Sequence, residues 1–317
     1  MKAVVIYEAG GPEKLIYADV PKPTIKVGWS LVKVKGFGIN HSEIFTRQGL
    51  SPSVKFPRIL GIECVGLIEE STDAQRLPVG AKVISIMGEM GRAFDGGYAE
   101  YALLPNEQIY PVETNLSWEE LAVVPETYYT AYGSILNLRI IESDSILIRG
   151  ATSGVGVACA KLLRAKYPNM IIDGSSRSDK KSAALRQVGF NDVIIDCKGE
   201  LQTEKKYDKI LELIGPATIK NSFKHLNCGG IICNTGLLGG KWYLEEFDPI
   251  EDLAEDSYLT SFYSGNVKIE RLNEMFKFIE NNHVDVKPDK IFKLDEVPKA
   301  HAYLESSKSF GKVVVII

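Results

Sequence analysis

The 317-residue sequence lacks several features that define large classes of proteins. Its 37 basic and 41 acidic residues give a formal net charge of -4, without the excess of positive charge that would favour nucleic acid or an anionic membrane. No apolar run is long enough for a transmembrane helix, and the opening MKAVVIYEAGG lacks the charged lead and long apolar centre of a secretory signal. We therefore expect a cytoplasmic protein with no nucleic-acid or membrane partner.

The sequence also lacks the cysteine pairs of common metal sites. None of its five cysteines forms a CxxC pair, and no cysteine lies between Cys64 and Cys159. Structural and catalytic zinc sites take three or four N, S or O ligands from the protein. We expect the cysteines to be buried free thiols in a reducing compartment.

The first third of the chain has the sequence pattern of a β-rich domain. Hydrophobic residues make up 45% of the chain, enough to fill one large core or two ordinary ones. Residues 1–118 contain short apolar segments separated by Gly and Pro, and turns are predicted at Gly36 and Gly80 among other glycines. This pattern predicts a domain built mostly from strands.

A second pattern begins near Ser117, which lies three residues before Glu120. This spacing predicts a capping box at the start of a helix. Strand-like and helix-like segments then alternate as far as residue 262, which predicts right-handed crossovers and a parallel, doubly wound sheet. We expect residues 119–262 to form one α/β domain.

The tail returns to the first pattern. Its last segment is Gly311–Ile317, in which the five residues Val313–Ile317 are all β-branched and apolar, and this favours an interior strand over a free end. We expect residues 263–317 to fold back onto residues 1–118, so that residues 119–262 form an inserted domain.

The strongest local motif lies in Ile146–Leu163, where a buried strand leads into a glycine-rich turn and an apolar helix. Glycines let the backbone turn sharply and approach a ligand where a Cβ would collide, and the amides that begin the helix favour a pyrophosphate. The spacing is GxxxGxG where GxGxxG is the usual fingerprint, so a glycine-rich turn without a ligand remains the alternative. The residues predicted to hold the pyrophosphate are Gly150, Ala151, Thr152, Ser153, Gly154, Val155 and Gly156.

The end of the next strand distinguishes the two nicotinamide cofactors. An NAD site has an Asp or Glu there, about 20 residues further on, to bind the ribose hydroxyls. Here Ser175 stands 19 residues after Gly156, and Arg177 and Lys181 follow. These residues would bind the 2′-phosphate of NADPH, which a carboxylate would repel. The alternatives are a solvated basic turn, or an NAD site that uses Asp173, two residues earlier.

Several further motifs follow one another along nearly the whole chain. They are Asn40–Glu43 with Arg47–Gly49, the P-x-x-x-G-x-E-x-x-G box of Pro57–Gly66, Gly96–Tyr101, Thr127–Tyr132, Asp208–Gly215, Asn234–Gly236 and Gly311–Val313. As an ordered set they resemble the medium-chain dehydrogenase/reductase superfamily, in its zinc-lacking quinone oxidoreductase branch. The resemblance implies a GroES-like β-rich catalytic domain, a Rossmann domain and an active site in the cleft between them. We also expect a homodimer.

The resemblance assigns roles to individual residues. Asn40 would face the nicotinamide and the substrate, and Thr130 would contact the cofactor near its nicotinamide end. The residues that would hold the ribose and the carboxamide are Leu213, Gly215, Asn234, Thr235, Gly236 and Phe262.

The resemblance also bears on zinc. Zinc-containing relatives carry Cys at the position of Asn40 and His at that of Ile62, so that Glu63 alone remains of that set. His41 lies nearby, but one histidine and isolated carboxylates do not make a zinc site. We expect Glu63 to have a structural role and His41 to be a polar residue at the start of a helix.

Without a Lewis acid, the chemistry suits acceptors that take hydride readily, namely quinones or carbonyls conjugated to a double bond. Asn40 would donate a hydrogen bond to the developing negative charge. The general acid is open between Tyr128, Tyr129 and Tyr263. Two alternatives remain: an enone or enoyl-thioester reductase, or an NADPH-binding protein with a structural or sensing role. A short-chain dehydrogenase is disfavoured because no Tyr has a Lys four residues later.

Overall fold

The computed structural model describes residues 1–306 and 308–317. The strands in these residues are β1 (Lys2–Ile6), β2 (Leu15–Asp19), β3 (Trp29–Ile39), β4 (Arg58–Ile59), β5 (Glu63–Glu70), β6 (Lys82–Ile86), β7 (Tyr101–Pro105), β8 (Tyr110–Pro111), β9 (Ser145–Arg149), β10 (Ile171–Ser176), β11 (Asp192–Cys197), β12 (Glu200–Leu201), β13 (Tyr207–Glu212), β14 (Leu226–Asn234), β15 (Tyr258–Ser261), β16 (Lys290–Lys293) and β17 (Val313–Ile316). The α-helices are α1 (His41–Arg47), α2 (Trp118–Leu121), α3 (Pro125–Leu138), α4 (Gly154–Lys166), α5 (Ser182–Gln187), α6 (Ile219–Lys224), α7 (Ile269–Asn281) and α8 (Val297–Glu305). None of the helices in the described residues has the length and apolar character needed to cross a membrane.

The chain forms two compact units. The first comprises Met1–Glu126, Ser264–Leu272 and Val286–Ile317, and the second comprises Thr127–Tyr263 and Asn273–Asp285. The sequence instead suggests boundaries after residues 118 and 262, and it assigns the whole tail to the first domain. Asn273–Asp285 belongs to the second unit because its residues pack there. The Phe278 ring lies 5.8 Å from that of Tyr132, and the Tyr128 hydroxyl donates to the Asp285 carbonyl at 3.2 Å.

The first unit is built from two sheets. One has the strand order β2-β1-β4, and the other has the order β16-β17-β3-β5-β6-β8, with β7 also paired to β3. The predicted interior strand of the tail is confirmed, because β17 lies between β16 and β3 and the side chains of Val313, Val314 and Val315 are fully buried. The GroES-like, β-rich architecture expected for this part of the chain is therefore present.

Gly36 is not in a turn, contrary to the prediction. It lies within β3, beside a register shift in the pairing of β3 with β5, which is the signature of a bulge. A Cβ at this position would lie 2.7 Å from Ile316 Cδ1. The same Cβ would lie 3.0 Å from the Val315 carbonyl oxygen of β17, so a larger residue would require the neighbouring strand to shift.

The second unit contains the predicted doubly wound sheet. Its strand order is β12-β11-β10-β9-β13-β14-β15, and every pairing from β11 to β15 is parallel. The chain progresses outward from β9 first on one side and then on the other, so the strand order reverses at β9. Ligands of doubly wound sheets bind beyond the carboxyl ends of the strands at such a point.

The predicted capping box is also confirmed. The Ser117 hydroxyl accepts from the Glu120 amide at 3.2 Å, and the Glu120 carboxylate accepts from the Ser117 amide at 3.0 Å. The helix it begins ends at Leu121, and α3 starts separately at Pro125. Proline suits this first position because it has no N–H to contribute to the helix.

The cysteines differ from the prediction in part. In the described residues all five are free, and Cys64, Cys159 and Cys233 are buried. Cys197 and Cys228 are exposed, because the first ends β11 and the second lies in the solvent-facing start of β14.

Candidate functional site

The glycine-rich turn follows β9 directly. Gly150 has a φ of 85°, a left-handed conformation that favours glycine. Ser153 caps α4: its hydroxyl accepts from the Gly156 amide at 3.1 Å and donates to the Gly150 carbonyl at 2.8 Å. The first amides of a helix have no acceptors within the helix, so the start of α4 can bind an anion.

Gly156 is explained by packing alone. A Cβ at this position would lie 2.7 Å from the Ala151 carbonyl oxygen and 2.8 Å from that of Gly150. The helix could not approach the turn with any other residue there. This glycine is therefore required by the strand–turn–helix unit, whether or not a ligand is bound.

The hydroxyl and carbonyl groups of Ser175 are both hydrogen-bonded to the glycine-rich turn. Ser175 is buried, its hydroxyl accepts from the Gly150 amide at 3.1 Å, and its carbonyl accepts from the Ala151 amide at 3.1 Å. The sequence predicts this hydroxyl at a 2′-phosphate, whereas the structure uses it to fasten β10 to the turn. Arg177, just beyond the end of β10, is exposed, and Lys181 is partly buried.

Asp173, the alternative NAD acid, lies inside the sheet. It is 1% exposed and pairs with Leu147 in the middle of β9. One of its carboxylate oxygens accepts from both the Lys205 ammonium and the Tyr207 hydroxyl, each at 3.0 Å. The strand extends past Asp173 by three residues, so its side chain is remote from the carboxyl edge where a ribose would lie.

The loops after β13 and β14 interlock. The amides of Thr235 and Gly236 both donate to the Glu212 carbonyl, at 2.9 and 3.2 Å. A Cβ on Gly236 would lie 2.1 Å from the Leu213 carbonyl oxygen, and one on Gly215 would lie 2.5 Å from that of Gly236. The structure thus brings the predicted residues of both loops together at the carboxyl edge.

Thr130 and Thr235 meet through a serine that the sequence did not indicate. The Ser134 hydroxyl donates to the Thr130 carbonyl at 2.7 Å and lies 2.9 Å from the Thr235 hydroxyl. This contact fixes α3 against the end of β14.

Phe262 and Asn234 lie at the same edge. The Phe262 amide donates to the Asn234 carbonyl at 3.3 Å, and the Phe262 ring occupies the space that a Cβ on Gly133 would need, 2.1 Å away. The side-chain oxygen of Asn234 is buried and has no hydrogen-bond partner among the described residues. A buried acceptor of this kind fits a ligand that donates, such as a ribose hydroxyl or a carboxamide.

In the first unit, Asn40 lies in a buried cluster of charges. Its amide nitrogen is 2.8 Å from Glu63 Oε1 and 3.3 Å from Glu43 Oε1, and its amide oxygen accepts from the Lys312 ammonium at 2.5 Å. Lys312 also donates to Glu63 Oε1 at 2.6 Å. Asn40 precedes α1, but within the described residues its side chain makes no capping hydrogen bond to that helix.

The two carboxylates of this cluster have different environments. Glu63 accepts from the Glu126 amide at 2.8 Å through its second oxygen, and it therefore ties β5 to the start of α3. Glu43 accepts from the Ile62 amide at 3.1 Å. Burial raises the pKa of the Glu43 carboxyl to about 7.

Lys312 is the member of this cluster that sequence reasoning missed. Its motif is visible, but nothing local indicates that it contacts Asn40, which lies 272 residues earlier in the chain. A second missed feature is the pair Arg149 and Glu212. Its signal was available, because each charged residue ends a strand directly after an apolar stretch, Ile146–Ile148 before Arg149 and Ile210–Leu211 before Glu212.

The three tyrosines considered as general acids differ in burial and in their contacts. Tyr128 is buried with its hydroxyl bonded to a carbonyl, and burial raises the pKa of that hydroxyl well above its usual value. The buried ring of Tyr129 lies 5.8 Å from the Phe262 ring. Tyr263 is 59% exposed.

The cluster around Asn40 does not fit a zinc ion. At the position where zinc relatives are expected to carry His, Ile62 is buried and offers no ligand atom. Over the described ranges, 1–306 and 308–317, no group of three or more His, Cys, Asp or Glu is arranged to hold a metal. The Lys312 ammonium lies against the carboxylate of Glu63.

Two family models match parts of this chain. The family model described as alcohol dehydrogenase GroES-like domain matches residues 26–114, and the one described as zinc-binding dehydrogenase matches residues 185–315. The quinone oxidoreductase of Lama guanicoe is 28% identical over 337 residues, covering 100% of this chain and 98% of that protein. The structure of the quinone oxidoreductase from Coxiella burnetii has a TM-score of 0.86 at 23% identity, covering 100% of this chain and 99% of the other. A mycobacterial structure complexed with NADPH has a TM-score of 0.84 at 22% identity and covers 100% of both chains.

The fold and the site define an oxidoreductase that combines a GroES-like domain with a Rossmann dinucleotide-binding domain. The chain belongs to the medium-chain dehydrogenase/reductase superfamily, in its quinone oxidoreductase-like family.

Proposed function

We propose that this protein transfers hydride from NADPH to a quinone, or to a carbonyl similarly conjugated to a double bond, without zinc. The choice of NADPH over NADH rests on the surroundings of β10. Asp173 is paired with Lys205 inside the sheet, whereas Arg177 is exposed beyond the strand end. A cation at this position favours a 2′-phosphate, and a carboxylate withdrawn into the sheet cannot bind the ribose hydroxyls of NAD.

We assign each part of this cofactor to residues at the carboxyl edge of the sheet. The start of α4, capped by Ser153, would hold the pyrophosphate, and Arg177 with Lys181 would hold the 2′-phosphate. The free side-chain oxygen of Asn234 and the loop Leu213–Gly215 would hold the nicotinamide half. A mycobacterial protein of the same fold was solved with NADPH, which supports this cofactor. When bound, NADPH supplies the hydride.

The acceptor follows from the cluster around Asn40. Since these residues do not fit zinc, the acceptor must take hydride without a Lewis acid, as quinones do. Both amide hydrogens of Asn40 face carboxylates, so the donor expected from the sequence is already engaged. The contact to Glu43, at 3.3 Å, is the longer one, and a substrate oxygen can replace it. The relatives named quinone oxidoreductase support this class of acceptor.

Steady-state oxidation of NADPH tests the proposal. We expect turnover with benzoquinone or naphthoquinone and little with a simple saturated ketone. If the protein turns over only with enones or enoyl thioesters, the acceptor belongs to that class and not to the quinones. Cofactor binding without turnover on any of these acceptors would favour a structural or sensing protein.

We further propose a homodimer. Strand β15 is the outer strand of the Rossmann sheet, and two of its apolar side chains, Tyr258 and Leu259, are 61% and 41% exposed. An outer strand of this kind has unpaired backbone groups that a second copy can pair with.

A further inference from the structure

Two charged residues end neighbouring strands of the Rossmann sheet. Arg149 ends β9, Glu212 ends β13, and the two are paired in the register of these strands. Both side chains are fully buried. The loops that follow them, Gly150–Gly156 and Leu213–Gly215, are the ones proposed to hold the pyrophosphate and the nicotinamide half of the cofactor.

The Arg149 guanidinium joins three parts of the domain. Its Nε donates at 2.8 Å to Asp196, the penultimate residue of β11, and one terminal nitrogen donates to the Gly199 carbonyl at 2.7 Å. The other terminal nitrogen donates to the Thr218 carbonyl at 3.1 Å and to the Ser222 hydroxyl at 2.8 Å. The last two acceptors belong to α6 and to the residue that precedes it.

Glu212 holds the loop that follows it. One carboxylate oxygen accepts from the amides of Ile214 and Gly215 at 2.8 and 3.0 Å, and the other accepts from the Ser222 hydroxyl at 2.5 Å. That second oxygen lies 3.9 Å from the Arg149 guanidinium, beyond hydrogen-bond distance. Ser222 is therefore the link, because it accepts from Arg149 and donates to Glu212.

Stability alone does not account for such a group. Burying charges costs free energy, and well-packed apolar residues of similar size often stabilise a domain equally well or better. Burial raises the pKa of Glu212, which reports this cost, although Arg149 opposes the shift. Apolar residues, however, cannot accept hydrogen bonds from the Ile214 and Gly215 amides. Only a polar side chain such as Glu212 can select one conformation of the loop in this way.

We propose that Arg149, Ser222 and Glu212 are positioning residues that set the loop Leu213–Gly215 for the nicotinamide half of the dinucleotide. The inference rests on the proposed function, since it requires that this edge binds the cofactor. The three side chains do not themselves contact the cofactor. Their effect is transmitted through the loop amides.

The variant Ser222→Ala tests this, because it breaks the link and removes no charge. Binding is measured by fluorescence titration with NADPH and with 2′,5′-ADP, a fragment that lacks the nicotinamide half. We expect the NADPH dissociation constant to rise about tenfold, as for loss of a hydrogen bond to a charged group, and that of the fragment to stay unchanged. The matched control is Ser145→Ala, which removes a hydroxyl bonded to Asp208 at 2.8 Å at the opposite end of β9 and should change neither constant.

The outcomes separate this inference from the proposed function. Equal weakening of NADPH and of the fragment in Ser222→Ala would indicate general disruption of the domain and would overturn the positioning role, as would no weakening at all. A wild-type protein that binds neither ligand would overturn the proposed cofactor, and this inference with it. Thermal unfolding of each variant shows whether the domain remains folded.

Discussion

The side-chain amide of Asn40, the residue before α1, donates at 2.8 Å to Oε1 of Glu63, the first residue of β5. Lys312 donates to the same Glu63 oxygen and to the amide oxygen of Asn40. With a cation on its oxygen and a carboxylate on its nitrogen, the amide has one favourable orientation. These two contacts keep the direction of the amide fixed when a substrate oxygen replaces the contact to Glu43, and a donor fixed in direction is what catalysis requires.

We expect Asn40→Ala to lower turnover with quinone by roughly 10- to 1,000-fold, as loss of one positioned donor does, with little change in NADPH affinity. Asn40→Asp should be at least as damaging, because it adds a carboxylate beside Glu43 and Glu63. Steady-state kinetics and thermal unfolding are measured on the same samples. The control is Asn106→Ala, which removes an amide bonded to Ser30 and Thr72 elsewhere in the first unit. Full activity in the Asp variant would disprove a catalytic role for the amide.

Arg177→Ala should raise the NADPH dissociation constant about tenfold and leave that of NADH nearly unchanged, because only NADPH has the 2′-phosphate. Both constants are obtained by titration of cofactor fluorescence. Lys180→Ala is the matched control, since Lys180 is an exposed cation three residues away that the proposed site does not use. Equal affinity of the unmutated protein for NADPH and NADH would contradict the proposed specificity.

Zinc should be well below one equivalent per chain in protein purified without chelator, because Asn40 and Ile62 stand where zinc relatives carry Cys and His. Elemental analysis measures this directly. A strong chelator should leave turnover with quinone intact. One full equivalent of zinc, lost together with activity on chelation, would show that the protein depends on a bound zinc ion and would contradict the proposed zinc-free chemistry.

Glu43 should make stability depend on pH. Its pKa is raised from 4.5 to about 7, so the folded protein binds more protons than the unfolded chain between these values. Stability from this group is complete below about pH 4.5 and is lost as pH rises through about 7, a loss of about 3 kcal/mol. Glu43→Gln should therefore gain stability relative to wild type between pH 5 and pH 8, measured by urea unfolding. A constant difference between the two proteins over this range would show that Glu43 is ionised throughout.

Leu259→Lys should convert the proposed homodimer to a monomer, because a lysine on an outer strand opposes pairing with another strand. Light scattering coupled to size exclusion gives the mass. Ile171→Lys is the control: Ile171 is 54% exposed, but it lies in β10, which has neighbours on both sides. A wild-type monomer, or a Leu259→Lys protein that remains a dimer, would contradict the proposed interface.

The local features of this protein could be predicted from the sequence. The capping box of Ser117 and Glu120 and the strand–turn–helix unit around Gly150 depend on spacings of a few residues. The β-branched run of β17 likewise indicated a buried strand. Backbone sterics, capping and hydrophobic periodicity act over such distances, so they determined the elements and the doubly wound class of the second unit.

The tertiary structure alone decided which polar atoms are used. Ser175 suits a phosphate by its position, yet its hydroxyl binds the Gly150 amide. Asp173 has the residue type expected of the acidic residue in an NAD site, yet the pairing of strands places it beside Lys205 within the sheet. Lys312 donates a hydrogen bond to Asn40, although the two residues are 272 positions apart in the sequence. A buried donor or acceptor must find a partner wherever the fold supplies one, and partners from distant segments are not determined by local sequence.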